Sequence, residues 1–101
     1  MEHRFEGETG RLFIQMPMEV DHHFAEQLRR ETDGLISRYP VRSLVFDFQK
    51  TVFMDSSGIG VILGRCRNLQ FAGGRSVAIH LNSQIQRIFR VSGLHKLISV
   101  E

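Results

Sequence analysis

Two patterns of hydrophobic and polar positions alternate along the chain: short apolar runs typical of strands, and apolar positions at helical spacing. The strand pattern occupies four segments: 5–14, 43–48, 76–79 and 97–100. The first of these contains a glycine-bearing turn and predicts a hairpin. Residues 43–48 form a nearly unbroken run of strand-forming residues and are expected at the centre of the sheet.

Apolar residues at helical spacing occur in each of the three intervals between these strand segments. Asp21 is placed to cap a first helix that ends before Pro40. A second helix runs to the Gly73-Gly74 pair, and a third opens at Ser83. Strands alternating with helices from residue 43 predict an α/β domain with a βαβαβ arrangement, with right-handed crossovers where neighbouring strands are parallel.

Length and composition limit the number of domains and the kinds of partner that this chain can have. A chain of 101 residues has room for one hydrophobic core, so residues 1–101 are expected to form one domain. The formal net charge is only +2, and charge alone names no partner. No direct nucleic-acid partner is expected, because the arginine pairs lack interleaved aromatic residues, and no membrane span is expected, because no uncharged apolar run approaches 18 residues. The N-terminus lacks the apolar stretch of a secretion signal, and the single Cys66 excludes an internal disulfide. We therefore expect a cytoplasmic protein in which Cys66 is a small core residue.

The segment Asp55-Ser56-Ser57-Gly58 stands between a short apolar run and the second helix. Short oxygen-bearing side chains at such a position accept hydrogen bonds from the first free N–H groups of the helix. One cap needs one such residue, so three in succession leave at least one hydroxyl free. A phosphate on that hydroxyl would be favoured by the positive end of the helix and would change the surface charge without unfolding the domain. The pattern itself does not choose between Ser56 and Ser57.

The glycines of the second helix have an unusual spacing. Gly58, Gly60 and Gly64 do not match a dinucleotide-binding fingerprint, because Leu63 stands where the third glycine is required. Each glycine costs roughly 1 kcal/mol relative to alanine in a helix, so a compensating contact is expected. Gly60 and Gly64 lie four residues apart on one face, where we expect a backbone or a partner's side chain to pack closely.

The sequence gives little support for a catalytic site or a metal-binding site. His22 and His23 are adjacent and point about 100° apart on a helix, so no metal site is predicted. A serine hydrolase acting through Ser56 or Ser57 remains an alternative, but the chain lacks the Gly-x-Ser-x-Gly elbow of that class. Arginine pairs such as Arg65 with Arg67 are expected on solvated helix faces.

Residues 52–65, VFMDSSGIGVILGR, resemble the signature of the STAS-domain anti-sigma factor antagonists of the sporulation type. The segments 21–26, 87–89 and 92–98 also resemble that family and occur in its order. The resemblance implies a STAS fold, in which a mixed sheet of four to five strands has helices packed mainly on one face. Relatives usually continue into a further C-terminal helix, which this single domain is expected to lack, either naturally or because the chain is truncated.

The resemblance implies a regulatory protein rather than an enzyme. The unphosphorylated antagonist would bind a nucleotide-bound anti-sigma factor serine kinase and so release a sigma factor for transcription. Phosphorylation at the position of Ser56 would end that complex, and a serine phosphatase would reset it. The ATP and magnesium belong to the kinase, so the chain needs no cofactor. The implied partner-binding residues are Asp21, Asp55, Ser57, Gly58, Ile59 and Gly60. The alternative is a STAS regulatory module of a stress-signalling scaffold or a transporter-associated complex.

Overall fold

The computed structural model describes residues 1–101. Seven strands and three helices follow one another as β1 (His3–Glu6), β2 (Arg11–Gln15), β3 (Glu19–Val20), α1 (His22–Arg38), β4 (Ser43–Asp47), β5 (Phe53–Met54), α2 (Ser56–Phe71), β6 (Arg75–Ile79), α3 (Ser83–Ser92) and β7 (Ser99–Val100). A 3-10 turn at Leu94–Lys96 separates α3 from β7. None of the helices combines the length and apolar character needed to cross a membrane.

Five of the strands form one mixed sheet in the order β1-β2-β4-β6-β7. The hairpin predicted at the start of the chain is confirmed, since β1 pairs with β2 in the antiparallel sense. The pairs β2–β4, β4–β6 and β6–β7 are parallel. β4 is therefore the central strand, as its apolar run predicts.

The register of the sheet places the helices on one face. Ile14, Phe46 and Ala78 lie side by side on β2, β4 and β6 and belong to the main core. The same core includes Ile62 of α2 and Phe89 of α3. The next register row of the three strands points to the opposite face, because successive side chains of a strand alternate. The mixed sheet with helices packed mainly on one face is confirmed.

The C-terminal strand is shorter than predicted. The pattern indicates a strand over 97–100, but only Ser99 and Val100 pair with β6. The N–H groups of Leu97 and Ile98 each donate to the carbonyl oxygen of Leu94 at 3.0 Å. Because both N–H groups are bonded within the preceding turn, they do not bond to β6, and the strand pairing begins at Ser99 instead of Leu97.

The prediction that Arg65 lies on a solvated helix face is wrong, whereas the prediction for Gly60 and Gly64 is only partly tested. A Cβ added at Gly60 or Gly64 would meet open space, so no backbone of this chain packs closely there, and close packing by a partner's side chain stays a prediction. The side chain of Arg65 is only 12% exposed and forms an ion pair with Asp33 of α1. The pattern along α2 does not reveal where α1 crosses it. α1 leaves the glycine side of α2 open and covers Arg65.

Cys66 is buried in the core, as predicted. Burial disfavours the charged thiolate and raises the pKa of the Cys66 thiol to about 11, although the nearby Ser76 hydroxyl opposes the shift. The thiol is therefore protonated at neutral pH and packs as a small apolar side chain.

Candidate functional site

Asp55 caps α2. Its backbone is extended, and its carboxylate accepts a hydrogen bond from the Gly58 N–H at 2.8 Å. Ser56 and Ser57 are the first two residues of the helix, and both are exposed. The capping predicted from the sequence is thus carried out by the aspartate, and both hydroxyls stand at the positive end of the helix without being used for it.

Asp21 caps α1 in the same manner. Its Oδ1 accepts hydrogen bonds from the N–H groups of His23 and Phe24, each at 3.1 Å. These bonds favour the charged carboxylate, with the Phe24 N–H contributing most, so the pKa of Asp21 lies below its usual value. Asp21 is therefore ionised at neutral pH and supplies a fixed negative charge at the start of α1.

Two short strands outside the main sheet bring these helix ends together. β3 and β5 pair in parallel, with Val20 opposite Met54, and the Asp55 N–H donates to the Val20 carbonyl oxygen at 3.2 Å. Asp21 and Asp55 directly follow the paired residues, so the two capping carboxylates lie on neighbouring chain segments. Two-residue strands carry too little pattern to be recognised in the sequence.

Gly58 is required for this arrangement. It is buried, and a Cβ at this position would lie 2.7 Å from Cγ1 of Val20 and closer still to the Val20 carbonyl oxygen. Real Cβ atoms do not approach backbone so closely, so only glycine lets the first turn of α2 rest against β3. The compensating contact expected for the glycines of α2 therefore exists at Gly58.

The remaining site residues surround the first turns of α2. Ile59 is half-buried and packs against the core, whereas Gly60 is exposed. An open groove runs between α1 and α2, and its lining includes Ser57, Gly60, His22 and His23. Ser56 is not part of this lining. The two serines therefore have different surroundings, a distinction that the sequence pattern could not make.

A buried threonine fixes the loops beneath the site. Thr51 is fully buried, and its hydroxyl donates to the Pro17 carbonyl oxygen at 2.7 Å. The side-chain amide of Asn82 donates to the Thr51 carbonyl oxygen at 2.9 Å, and Oδ1 of Asn82 caps α3 at the Ile85 N–H. The segments before β3, before β5 and before α3 are thus tied together. The sequence analysis did not single out Asn82, although an asparagine directly before Ser83 is a common helix cap, and nothing in the sequence marks Thr51.

Substitution of Thr51 by valine tests this tie. Thr51→Val keeps the volume but leaves the Pro17 carbonyl oxygen without its donor, so we expect the free energy of unfolding to fall by about 1–2 kcal/mol. Thr9→Val is the matched control, because the Thr9 hydroxyl is exposed and water replaces its bonds. Urea unfolding of both variants measures the difference. If the two variants have equal free energies of unfolding, the hydrogen bond from Thr51 to Pro17 does not stabilise the fold.

Comparison with known proteins decides the family. A model of the STAS domain matches residues 4–101. The chain belongs to the STAS-domain family. The anti-sigma F factor antagonist of Paenibacillus polymyxa is 34% identical over 100 residues, which cover 99% of this chain and 82% of that protein. The resemblance seen in residues 52–65 is confirmed.

Solved structures of a relative share the STAS fold described above. The anti-sigma factor antagonist SpoIIAA in its unphosphorylated form has a TM-score of 0.81 at 31% identity, over 99% of this chain and 88% of that one. Bacillus SpoIIAA in its phosphorylated form has a TM-score of 0.73 at 31% identity, over 99% of this chain and 91% of that one. The relative thus occurs in both phosphorylation states.

Proposed function

We propose that this STAS domain is an anti-sigma factor antagonist whose activity is switched at Ser56. In its unphosphorylated form it binds a nucleotide-bound anti-sigma factor serine kinase in the cytoplasm and releases the sigma factor. Phosphorylation of Ser56 ends the complex, and a serine phosphatase restores it. The proposal makes the chain a kinase substrate and regulator, with the chemistry supplied by its partners.

The observation that carries the proposal is the position of Ser56. Its hydroxyl is exposed at the first residue of α2, while Asp55 alone caps the helix. A phosphoryl group there leaves the cap intact and adds about two negative charges. Both serines are exposed, and Ser57 lines the groove between α1 and α2 whereas Ser56 does not. We assign the switch to Ser56 because the serine directly after the aspartate is the position that the family phosphorylates.

The surrounding residues take different parts in this proposal. Asp21, Asp55, Ser57 and Gly60 form the polar surface around Ser56 that the partner would contact. Ile59 supports that surface from its half-buried position. Gly58 acts indirectly, since it is buried and allows α2 to rest against β3. A phosphate beside Asp55 concentrates negative charge on this surface and disfavours contact with a partner that presents nucleotide phosphates.

Mapping the phosphoryl group tests the proposal. The purified chain is incubated with MgATP and the anti-sigma F factor of its own organism, and modified peptides are located by mass spectrometry. We expect one phosphate, on Ser56, which Ser56→Ala removes and Ser57→Ala leaves in place. Phosphate on Ser57 would overturn the assignment of the residue. No phosphate, together with no binding, would favour the alternative of a STAS module in a larger assembly.

A further inference from the structure

An exposed apolar patch lies beside the switch. Six large apolar side chains of the chain are exposed, and three of them stand on two adjoining backbone segments: Met18 at 63%, Val52 at 47% and Phe53 at 46%. The other three lie on α2, α3 and β7. Single exposed apolar residues are ordinary, but several on adjoining segments point to an interaction surface.

Backbone hydrogen bonds hold the patch together. The N–H groups of Val52 and Phe53 both donate to the Met18 carbonyl oxygen, at 2.9 and 3.3 Å. Thr51 ties the same two segments through the Pro17 carbonyl oxygen. The three side chains are therefore presented by a fixed backbone rather than by free loops. Such pre-organisation lowers the conformational entropy lost on binding.

The distance from Phe53 to Ser56 is short compared with the size of a typical protein interface. They lie three positions apart in the chain, so their Cα atoms are at most about 11 Å apart. A specific protein interface buries about 800 Å² on each partner, which corresponds to a disc of about 16 Å radius. A protein that docks with its active site on Ser56 therefore extends over Phe53 and the neighbouring patch.

We infer that Met18, Val52 and Phe53 are the apolar anchor through which the anti-sigma factor docks, an inference that rests on the proposed function. The partner presents an apolar surface to these side chains, since Phe and Met are enriched at the centres of protein interfaces. Glu19 lies opposite Phe53 in the register and makes no ion pair, so a basic side chain of the partner complements it at the rim. The anchor determines affinity, whereas Ser56 determines the switch.

The test is the rate of Ser56 phosphorylation by the anti-sigma F factor as a function of chain concentration. Phe53→Ser and, separately, Met18→Ser are expected to raise KM about 10-fold with kcat unchanged, because the anchor contributes equally to ground-state and transition-state binding. Phe71→Ser and Val91→Ser are matched controls, since both side chains are more exposed than Phe53 and lie elsewhere. These controls are expected to leave KM unchanged.

The outcomes separate this inference from the proposed function. If the wild-type chain is phosphorylated on Ser56 and both anchor variants keep the KM of the controls, the inference is wrong and the switch stands. If the wild-type chain is neither bound nor phosphorylated, both fall together. Met18 and Phe53 belong to different segments, so a folding defect in one variant leaves the other to decide. Urea unfolding identifies such a defect.

Discussion

Gly58→Ala is expected to lower the free energy of unfolding by about 3 kcal/mol, at the upper end of what overpacking costs. The added methyl group would lie 2.7 Å from Cγ1 of Val20 and closer to the Val20 carbonyl oxygen. A flexible side chain could move aside, but the backbone of β3 is held by its pairing with β5. The first turn of α2 or the β3–β5 pair must therefore shift, and the alignment of Asp21 with Asp55 is lost.

Gly64→Ala is the matched control for this prediction. Gly64 lies in the same helix, and a Cβ there would meet open space. Alanine lowers the conformational entropy of the unfolded chain and favours the helix, so we expect a gain of about 1 kcal/mol. Urea unfolding of the two variants measures both effects. A Gly58→Ala variant as stable as the wild type would contradict the close packing against Val20.

Ser56→Asp is expected to weaken binding of the anti-sigma F factor by about 100-fold or more, since juxtaposed like charges cost several kcal/mol at an interface. The new carboxylate stands beside the Asp55 cap and imitates part of the phosphoryl charge. The domain itself remains folded, because a negative charge is favourable in the first turn of a helix. Isothermal titration calorimetry in the presence of MgADP measures the dissociation constant without phosphoryl transfer.

Ser56→Asn separates charge from shape. Asparagine has nearly the same size as aspartate but is neutral, so we expect a dissociation constant within about 5-fold of the wild type if charge is the cause. Equal losses with aspartate and asparagine would show that the partner rejects any larger side chain at this position. Undiminished binding with aspartate would contradict a charge-based switch at Ser56.

Local chemistry explains which elements were predictable. The caps of α1 and α2 depend on hydrogen bonds within three residues of Asp21 and Asp55, and such short-range preferences are visible in the chain itself. The central position of β4 follows from its apolar run, because a strand that lies between two other strands and is shielded from solvent needs few polar positions. The final strand was predicted too long, since the donors of Leu97 and Ile98 are taken by a turn that the apolar pattern does not reveal.

Contacts between distant segments explain the rest. The apolar character of Met18, Val52 and Phe53 by itself favours burial, yet the folded chain exposes all three. The glycine spacing favoured Gly60 and Gly64 for close packing, whereas the approach of β3 makes Gly58 the position that admits no side chain. Neither result follows from periodicity, because each depends on which residues the β3–β5 register places opposite one another.

Local patterns were sufficient to predict the α/β class, the three helices, the Asp21 cap and a polar cap at the start of α2, because these depend on periodicity and on hydrogen bonds between near neighbours. Only the tertiary structure placed Asp21 beside Asp55, buried Gly58 against Val20 and gave Ser56 and Ser57 different surroundings. These features arise where segments more than thirty residues apart meet. Their geometry is set by packing and register, which no local pattern encodes.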